Sequence, residues 1–298
     1  MPKPLVSVII PTLLRTPYAI QTVKDLLVQD YPDLEVIVVE QEQSSPELVA
    51  FAQENRERVQ YYFHEKSTGP RNKNIGVSHA KGEVFLFLDD DCRLPHNFVS
   101  QSVEVLLSDP KVGAVSGKII QPSEPIPLET EGVVGRVKKY GAVVTNYGSN
   151  TRALMDTAHG CSMYRREAFE KAGGFDENFD GNAMREESDL SMRVGRAGYV
   201  MIFEPRIEFI HLKAPMGGTR RKTDRMQWYF DFFHNDLLFF LKNRQWRYLP
   251  IFFASKARPI LACMFYYGKG HPRALVLPVR AYAAAFRTYR KEKAEGKI

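Results

Sequence analysis

Three consecutive carboxylates follow a short apolar run, and they are the residues that most directly suggest chemistry. Residues 84–88 are Val-Phe-Leu-Phe-Leu, and Asp89, Asp90 and Asp91 come directly after them. Clustered acids repel one another unless a cation lies among them. Oxygen ligation by a carboxylate pair suits Mg²⁺ or Mn²⁺, usually with phosphate completing the shell. Capping a helix would need one Asp, so the three together predict a site for a metal ion and phosphate.

A second acidic cluster lies later in the chain, where Glu186, Glu187 and Asp189 open a segment with helical apolar spacing. The helix dipole favours acids in a first turn, but three exceed that need. A positioned carboxylate is also the general base that a hydroxyl nucleophile requires at neutral pH. Arg71 precedes a short helix whose N-terminus would attract phosphate. His211 ends a strand, and on residue type alone a lone His is more often structural than a ligand.

The elements that must position these groups alternate between strand and helix. Apolar runs predict strands at 5–10, 34–39 and 59–63, and helical spacing predicts helices at 16–29 and 46–57. Uninterrupted apolar strands are typical of parallel sheets that are buried on both faces. Short connections between them predict a right-handed, doubly wound α/β sheet. Ligands of such sheets bind beyond the carboxyl ends of the strands, which is where the three Asp residues fall.

The pattern continues to the end of the chain with one long interruption. Pro11 is expected to end the first strand, because it lacks a backbone donor. Residues 121–157 are irregular, and long connections of this kind are often lids or substrate-binding loops. Further strands are predicted at 112–120, 160–164, 200–203 and 207–210. Helices are predicted at 72–80, 97–107 and 165–172, one further helix is predicted to begin at Arg185, and the chain is predicted to be helical from residue 225 onward.

Charge is distributed unevenly along the chain. The net charge of the 298 residues is +6, but residues 213–298 carry 18 Lys/Arg against 5 Asp/Glu, whereas residues 1–212 carry 23 against 30. The basic part is helical and aromatic, so it could lie in the interface of an anionic membrane or form a helical cap packed on the sheet. Both alternatives stay open. Residues 249–267 are apolar but too interrupted to predict a membrane span.

Cysteine usage and the N-terminus bear on location. Cys92, Cys161 and Cys263 are scattered without CxxC spacing, which predicts small buried thiols in a reducing cytosol and neither disulfides nor a zinc site. The N-terminus has no succession typical of a signal peptide. We therefore expect a cytoplasmic protein, either free or peripheral on the inner face of the membrane.

Taken in order, these motifs resemble the family 2 glycosyltransferases of the GT-A fold over residues 5–212. The resemblance implies a Rossmann-like, mostly parallel sheet with a C-terminal helical extension. It also implies that a sugar moves from a nucleotide diphosphate sugar to an acceptor hydroxyl with inversion at the anomeric carbon. The motifs are Val8–Thr12, Val38–Glu40, Arg71–Gly76, Leu88–Asp91, Gly173–Glu177, Glu186–Leu190 with Arg193, Ala197–Tyr199 and His211.

The resemblance assigns a donor site to the first part of the chain. Pro11, Thr12 and Glu40 match positions that hold the nucleoside, and the usual acid at the position of Glu40 is Asp, so the preferred base stays open. Arg71 matches a residue near the nucleotide and pyrophosphate. Asp90, inside the acidic run, is counted with the nucleotide-sugar-binding residues. The implied donors are UDP-, GDP- or dTDP-linked sugars.

The resemblance also assigns the metal ligands. Asp89 and Asp91 match the DxD pair, in which Asp91 would bind Mg²⁺ or Mn²⁺ directly while Asp89 faces the ribose or the waters of the metal. His211 matches a position that in some members also meets the metal. One metal-assisted displacement needs no protein nucleophile, and its transition state is expected to be oxocarbenium-like.

The catalytic base would belong to the later acidic cluster. The family usually has a Glu-Asp pair there, and this chain has Glu186 and Glu187, so Glu187 takes the position of the base. Asp189 is the alternative base, and Glu186 would contact the acceptor, a glycan or a lipid-linked intermediate. The predicted division is a nucleotide-sugar-binding half at 1–100, an acceptor-binding and catalytic half at 101–215, and the helical extension at 216–298.

Two other classes of function remain as alternatives. A nucleotidyltransferase that makes the sugar nucleotide would normally have a Gly-rich phosphate loop after the first strand, and residues 11–14 lack one. A non-catalytic sugar- or nucleic-acid-binding protein would explain the basic tail, and nucleic-acid binding would show a steep dependence on salt. We expect no nucleic-acid partner.

Overall fold

The computed structural model describes residues 3–122, 132–215, 217–218, 225–267 and 272–298. The strands are β1 Val6–Thr12, β2 Leu34–Gln41, β3 Val59–His64, β4 Val84–Phe87, β5 Cys92–Arg93, β6 Val112–Ile120, β7 Arg136–Val137, β8 Val143–Val144, β9 Ala153–Met155, β10 Ser162–Arg165 and β11 Val200–His211. The helices are α1 Thr16–Leu27, α2 Pro46–Glu54, α3 Gly69–His79, α4 Phe98–Leu107, α5 Arg166–Lys171, α6 Glu186–Arg196, α7 Arg225–Asn243, α8 Leu249–Ser255, α9 Ala257–Leu261 and α10 Pro272–Ala294.

Within the described residues, nine strands form one central sheet in the order β3-β2-β1-β4-β10-β6-β11-β5, and β9 pairs with β11. The strands β1, β2, β3 and β4 run parallel to one another, and β6 is parallel to β11. The strand β10 runs antiparallel between β4 and β6, and the short strands β5 and β9 run antiparallel to β11. The prediction of a doubly wound, mostly parallel sheet with a C-terminal helical extension is confirmed.

The central strands are buried on both faces because their side chains alternate between two apolar cores. Val8 and Leu86 belong to one core, together with residues of α1, α2 and α4. Ile9 and Phe87 belong to the other core, together with residues of α5 and α6. Alternation of this kind explains why the strands read as continuous apolar runs.

The strand β1 continues through Pro11, where the sequence predicted its end. Pro11 lies opposite Val39 of β2, so the pairing with β2 persists. The pairing of β1 with β4 ends earlier, at Ile9 and Phe87. In the described sheet Pro11 therefore has a neighbouring strand on one side, and a residue without an N–H is tolerated at such an edge.

The strand β11 joins two segments that the sequence predicted as separate strands, 200–203 and 207–210. Its register against β6 shifts between Glu204 and Glu208, so the turn expected there is a bulge within one strand. Bulges bend a strand and re-aim the residues that follow. Beyond this bulge, His211 pairs with Cys92 of β5, and the pairing brings His211 to the three Asp residues.

The connection at 121–157 is less irregular than predicted. Its described part contains a two-stranded hairpin of β7 and β8 and then the strand β9, which joins the main sheet beside β11. Residues 123–131 lie outside the described residues. Short strands with few apolar residues carry a weak sequence signal, which is why they were not predicted.

The helices α7–α10 pack on the sheet domain. Phe179, from the loop before α6, shares a buried core with Phe240 of α7 and Phe252 of α8. The helices α7 and α10 also lie along one another. Packing of this kind matches the predicted helical cap. No helix in the described part of the chain is both long enough and apolar enough to cross a membrane.

Candidate active site

The acidic turn after β4 points its three carboxylates in different directions. Asp90 and Asp91 are buried, whereas the side chain of Asp89 is 41% exposed. Asp90 accepts hydrogen bonds from Thr12 Oγ1 at 2.7 Å and from Arg15 Nη1 at 2.9 Å. Burial raises the pKa of Asp90 to about 6, although Arg15 and Thr12 oppose the shift. Both oxygens of Asp90 are engaged with the protein, so this residue fixes the wall of the site.

Asp89, Asp91 and His211 converge with the spacing of metal ligands. His211 Nε2 lies 3.2 Å from Asp91 Oδ1 and 3.7 Å from Asp89 Oδ2. One candidate ligand atom from each residue lies within 4.8 Å of the other two, and no other such group occurs among the described residues. Two carboxylate oxygens and one imidazole nitrogen form a donor set that suits Mn²⁺ or Mg²⁺. The residues present therefore fit the divalent cation that the sequence predicts.

The carboxylate of Asp91 is held in its ionised form. Burial would raise its pKa, but His211 and the backbone N–H of Ala214 outweigh burial and lower the pKa to about 2. Ala214 N donates to Asp91 Oδ2 at 2.7 Å. The loop after β11 thus reaches back to the acidic turn, and an ionised carboxylate is the form that binds a cation.

Arg15 joins the acidic turn to that loop, and the sequence did not identify it. Arg15 is buried and lies in the turn after β1; its Nη1 is 3.4 Å from Asp91 Oδ2. Its Nη2 donates to the carbonyl oxygen of Gly217 at 3.0 Å. These partners are distant in sequence, so no local pattern marks the residue. The signal that was available is an arginine placed directly beyond a parallel strand, at the edge where ligands bind.

Glu186 and Glu187, at the start of α6, both contact one buried lysine of α3. Lys73 Nζ, from α3, lies 2.8 Å from Glu186 Oε1 and 3.2 Å from Glu187 Oε1. Burial would lower the pKa of Lys73, but the two carboxylates raise it, so the amine is charged. The family resemblance implied that Arg71 lies near the nucleotide, but Arg71 is exposed and does not line the cleft, whereas Lys73 does.

The two glutamates differ in protonation. Burial, reinforced by the negative charge of Glu187, raises the pKa of Glu186 to about 8, although Lys73 opposes the shift. Burial would also raise the pKa of Glu187, but Lys73 and a hydrogen bond with Glu186 lower it. At neutral pH, Glu186 therefore holds a proton while Glu187 is ionised. A general base must be unprotonated, so the environment favours Glu187.

Gly160 lies between the acidic turn and the base. A Cβ at Gly160 would come 3.0 Å from Glu187 Oε1 and 3.8 Å from Asp89 Oδ1. His159 fixes this segment, because its Nδ1 accepts from the N–H of Cys161 at 3.1 Å and its Nε2 then donates to the carbonyl oxygen of Gly117 at 2.8 Å. Burial lowers the pKa of His159 to about 4, which keeps it neutral. The acidic turn at 89–91 and the acids at the start of α6 thus lie on opposite sides of Gly160.

Two of the predicted site residues lie away from this meeting point. Asp189 is fully buried and accepts hydrogen bonds from Arg193 Nε and Asn243 Nδ2, both at 2.8 Å. Glu40 is buried beneath the end of β2 and accepts from Tyr61 OH at 2.6 Å. Neither residue lines the cleft. Their carboxylates hold helices and strands together, so the structure favours Glu187 as the base and gives Glu40 no contact with the cleft.

One cleft of about 930 Å³ contains the meeting point, and we divide its lining residues into two groups, which we call arms. The donor arm follows the ends of the parallel strands and includes the predicted metal ligands together with Pro11, Thr12, Leu13, Arg15, Gln41, Glu42, Ser67, Thr68, Gly69, Lys73, Asp90 and Gly218. The second arm lies between the loop before α6 and the first turns of α7. Glu186 and Glu187 line the same cleft. The resemblance implied that Glu186 contacts the acceptor, but its side chain is buried against Lys73 and is therefore less available for that contact.

Comparison with curated proteins gives partial matches to sugar-transfer proteins. The O-antigen biosynthesis protein RfbC of Myxococcus xanthus is 27% identical over 223 residues, which are 70% of this chain and 17% of RfbC. The GalNAc(5)-diNAcBac-PP-undecaprenol beta-1,3-glucosyltransferase of Campylobacter jejuni is 38% identical over 98 residues, 32% of this chain and 31% of that protein. The matches thus span less than a third of the length of either relative.

Solved structures show the same fold at low sequence identity. The mannosyltransferase PcManGT of Pyrobaculum calidifontis, in complex with GDP-Man and Mn²⁺, matches with a TM-score of 0.55 and 22% identity over 100% of this chain and 80% of PcManGT. Residues 1–349 of S. aureus TarS, in complex with UDP, match with a TM-score of 0.61 and 15% identity over 98% of this chain and 91% of that fragment. The family model Glycosyl transferase family 2 matches residues 7–173, more than half of the chain. The protein therefore belongs to glycosyl transferase family 2.

Proposed function

We propose that the protein transfers a sugar, of hexose type, from a nucleotide diphosphate sugar to an acceptor hydroxyl in one displacement that inverts the anomeric carbon. The observation that carries the proposal is the position of Gly160, with Glu187 on one side and the acidic turn on the other. A cleft that brings a cation site and an ionised carboxylate together has the parts that this reaction needs.

The residues of the chain have distinct tasks in this reaction. Asp91, Asp89 and His211 would hold Mg²⁺ or Mn²⁺, which when bound offsets the negative charge that develops on the departing nucleotide. Glu187 accepts the proton of the acceptor hydroxyl as that oxygen attacks. Lys73 keeps Glu187 ionised until it takes the proton. Gly160 leaves room between donor and base that any Cβ would occupy.

The donor is proposed to bind along the ends of β1 and β2, with its diphosphate towards the acidic turn. PcManGT was solved with GDP-Man and TarS with UDP, and UDP-, GDP- and dTDP-linked sugars are the candidates here. Pro11 and Thr12 line this arm, and Gln41 and Glu42 line it where Glu40 and Arg71 do not. The boundaries at residues 100 and 215 remain a proposed division into donor-binding half, acceptor-binding and catalytic half, and extension.

We further propose a glycan or lipid-linked acceptor, reached by a protein that rests on the inner face of the membrane. Val279 is 69% exposed on α10, next to the exposed Arg280. An apolar surface with adjacent basic residues suits the interface of an anionic bilayer. Exposed apolar and basic residues of α9, of α10 and of the segment that follows α9 are Arg258, Leu261, Phe265, Arg273, Leu275, Val276, Val279 and Arg280.

The membrane proposal is tested with vesicles. The protein should sediment with phosphatidylglycerol vesicles at low salt, and binding should weaken as salt rises. Val279→Asp should weaken binding, whereas Val28→Asp, at a position 64% exposed on the sheet domain, should not. Equal loss in both variants, or no binding by the wild type, contradicts a dedicated membrane surface.

The proposed reaction is tested by a screen of nucleotide sugars. A true donor should raise the melting temperature in the presence of Mn²⁺ and not in its absence. With that donor, the anomeric configuration of the product, read by NMR, should be opposite to that of the donor. A retained configuration would rule out the single displacement, and donor binding without turnover on any acceptor would favour a non-catalytic sugar-binding protein. Formation of a sugar nucleotide from a nucleoside triphosphate would favour the nucleotidyltransferase alternative.

A further inference from the structure

The second arm of the cleft is built by residues outside the family-matched segment 7–173. It begins beside Glu187 and runs between the loop 178–184 and the first turns of α7. It also differs in charge from the donor arm, because its described lining contains acids, amides and aromatic rings but no Lys or Arg. Its lining residues are Asn178, Asp180, Gly181, Asn182, Ala183, Met184, Gln227, Trp228, Phe230, Asp231, His234, Asn235 and Ala284.

Trp228 and Asp231 are the two side chains that give this arm its chemistry. Phe232 stacks against Trp228 with ring centroids 5.5 Å apart, yet Trp228 stays 39% exposed at the cleft. Asp231 follows three residues later on α7, so both lie on one side of the helix. Gln227 Nε2 donates to Asp231 Oδ1 at 2.8 Å. The other oxygen lies so close to Gly181 that a Cβ there would overlap it.

This arm is held rigidly to the helix that carries the base. The buried side chain of Asn235 donates from Nδ2 to the carbonyl oxygen of Asp180 at 2.9 Å and to Asn182 Oδ1 at 3.2 Å. Arg185 directly precedes α6, and its Nε donates to Asp236 Oδ1 at 2.8 Å. A ligand in this arm would therefore be fixed relative to Glu187.

The chemistry of the lining selects a neutral carbohydrate. A sugar ring has apolar C–H faces and a rim of hydroxyl groups, and an aromatic ring beside a carboxylate offers a partner to each. A phosphate or a second nucleotide would bring negative charge to the carboxylates of Asp180 and Asp231, and like charges repel one another.

We propose that Trp228 and Asp231 form the subsite for the acceptor sugar, with a ring of the acceptor stacked on Trp228 and a hydroxyl group donating to Asp231. This inference rests on the proposed sugar-transfer function. It adds the class of acceptor group that the site takes and the residues that recognise it.

Fluorescence offers a direct test, because the chain has two tryptophans. In Trp246→Phe the single remaining tryptophan, Trp228, reports on the arm. With UDP or GDP and Mn²⁺ present, titration with the methyl glycosides of glucose, galactose, mannose, N-acetylglucosamine and rhamnose should quench or shift its emission for at least one sugar. The matched variant Trp228→Phe, which keeps Trp246 outside the cleft, should show no change. No response from Trp228 to any glycoside, in protein that binds the nucleotide, overturns the proposal.

Kinetics separate this inference from the function on which it rests. Trp228→Ala and Asp231→Asn should raise the acceptor KM about tenfold or more, with the donor KM and the slow hydrolysis of donor unchanged; Trp246→Ala should change none of these. Normal acceptor KM in Trp228→Ala and Asp231→Asn, in an enzyme that transfers sugar, overturns the subsite but leaves the function intact. Absence of donor binding and hydrolysis in the wild type overturns the function itself.

Discussion

The sheet domain and the C-terminal helices contribute to the cleft in different ways. In the sheet domain, the functional groups stand at strand ends, and Asp89, Asp91 and His211 converge because β4 and β11 end where β5 begins. The helices α7–α10 supply buried charges that hold the acidic segments of the sheet domain in place. The comparison suggests that strand ends set the chemistry, whereas helices outside the family motifs set the position of the base.

Lys242 shows how the helices do this. Its side chain, on α7, is almost fully buried and pairs with Asp176, with Glu292 at 2.8 Å and with Asp189 at 3.8 Å. A second buried acid, Asp236, pairs with Arg185 and with Lys256. The uneven charge of the sequence thus has a structural explanation in part, because basic residues of the extension are buried partners of acids in and around α6.

The largest effect should come from the strand-end region. Asp91→Asn removes a carboxylate that would bind the cation directly and should lower metal-dependent turnover about a thousandfold, since metal-ion catalysis contributes several kcal/mol. Asp109→Asn, at an exposed acid near the start of β6, is the control. The measurement is kcat/KM for the donor at saturating Mn²⁺. Metal-stimulated activity that survives in Asp91→Asn would remove this residue from its proposed place.

A loss of stability should follow when the helix network is broken. Lys242→Met leaves Asp176 and Glu292 without their buried cation and should lower the free energy of unfolding by about 3 kcal/mol. Lys291→Met, at an exposed lysine on α10, should change it little. Urea unfolding of both variants measures the difference. Equal stability of the two would show that the network is not what holds the extension on the sheet domain.

Lys73 and Arg71 give a matched pair on α3. Lys73→Met removes the charge that lowers the pKa of Glu187, so Glu187 should protonate at higher pH. The acid limb of the kcat/KM profile should then move up by about one pH unit, with about a tenfold loss of rate on that limb. Arg71→Met should leave the profile unchanged. A pH profile that moves in Arg71→Met and not in Lys73→Met would contradict the role of Lys73 and point back to Arg71 as the cation of α3 that acts in the site.

The smallest effect concerns the pH dependence of stability. The pKa of Glu186 is about 8 in the folded protein, above the usual value for an unfolded chain, so the folded state binds a proton that the unfolded state has lost. The contribution of Glu186 to stability is therefore full at acid pH and is lost as pH rises towards 8. Glu186→Gln should flatten this decline in unfolding experiments at pH 5 to 8. An unchanged slope would mean that Glu186 is ionised throughout.

The sequence predicted what depends on local pattern. Asp91 stood out because an acid is unusual directly after a buried strand. Glu187 stood out because the start of its helix holds more acids than the helix dipole requires. Ser45 is of a residue type preferred at a helix N-cap, and at the start of α2 its side chain accepts from the N–H of Leu48. Cys92, Cys161 and Cys263 are free and buried, as predicted.

Contacts between distant segments and exact helix phases could not be predicted. The sequence placed the start of α3 at residue 72, but the helix begins at Gly69, so Arg71 lies within it. Positions 71 and 73 are then separated by about 200° around the helix, and one faces solvent when the other faces the cleft. Arg15 and Asn243 act through partners far along the chain, which no periodicity records.

The central claim is that Glu187 is the base and acts across Gly160 from the metal site. Its most direct test compares sugar transfer by Glu187→Gln and Asp189→Asn at saturating donor, with Mn²⁺-dependent nucleotide binding measured in parallel. We predict that Glu187→Gln binds the nucleotide like the wild type and transfers at least about a hundredfold more slowly, while Asp189→Asn loses stability but keeps transfer per folded molecule. An active Glu187→Gln beside a folded but inactive Asp189→Asn would contradict the account.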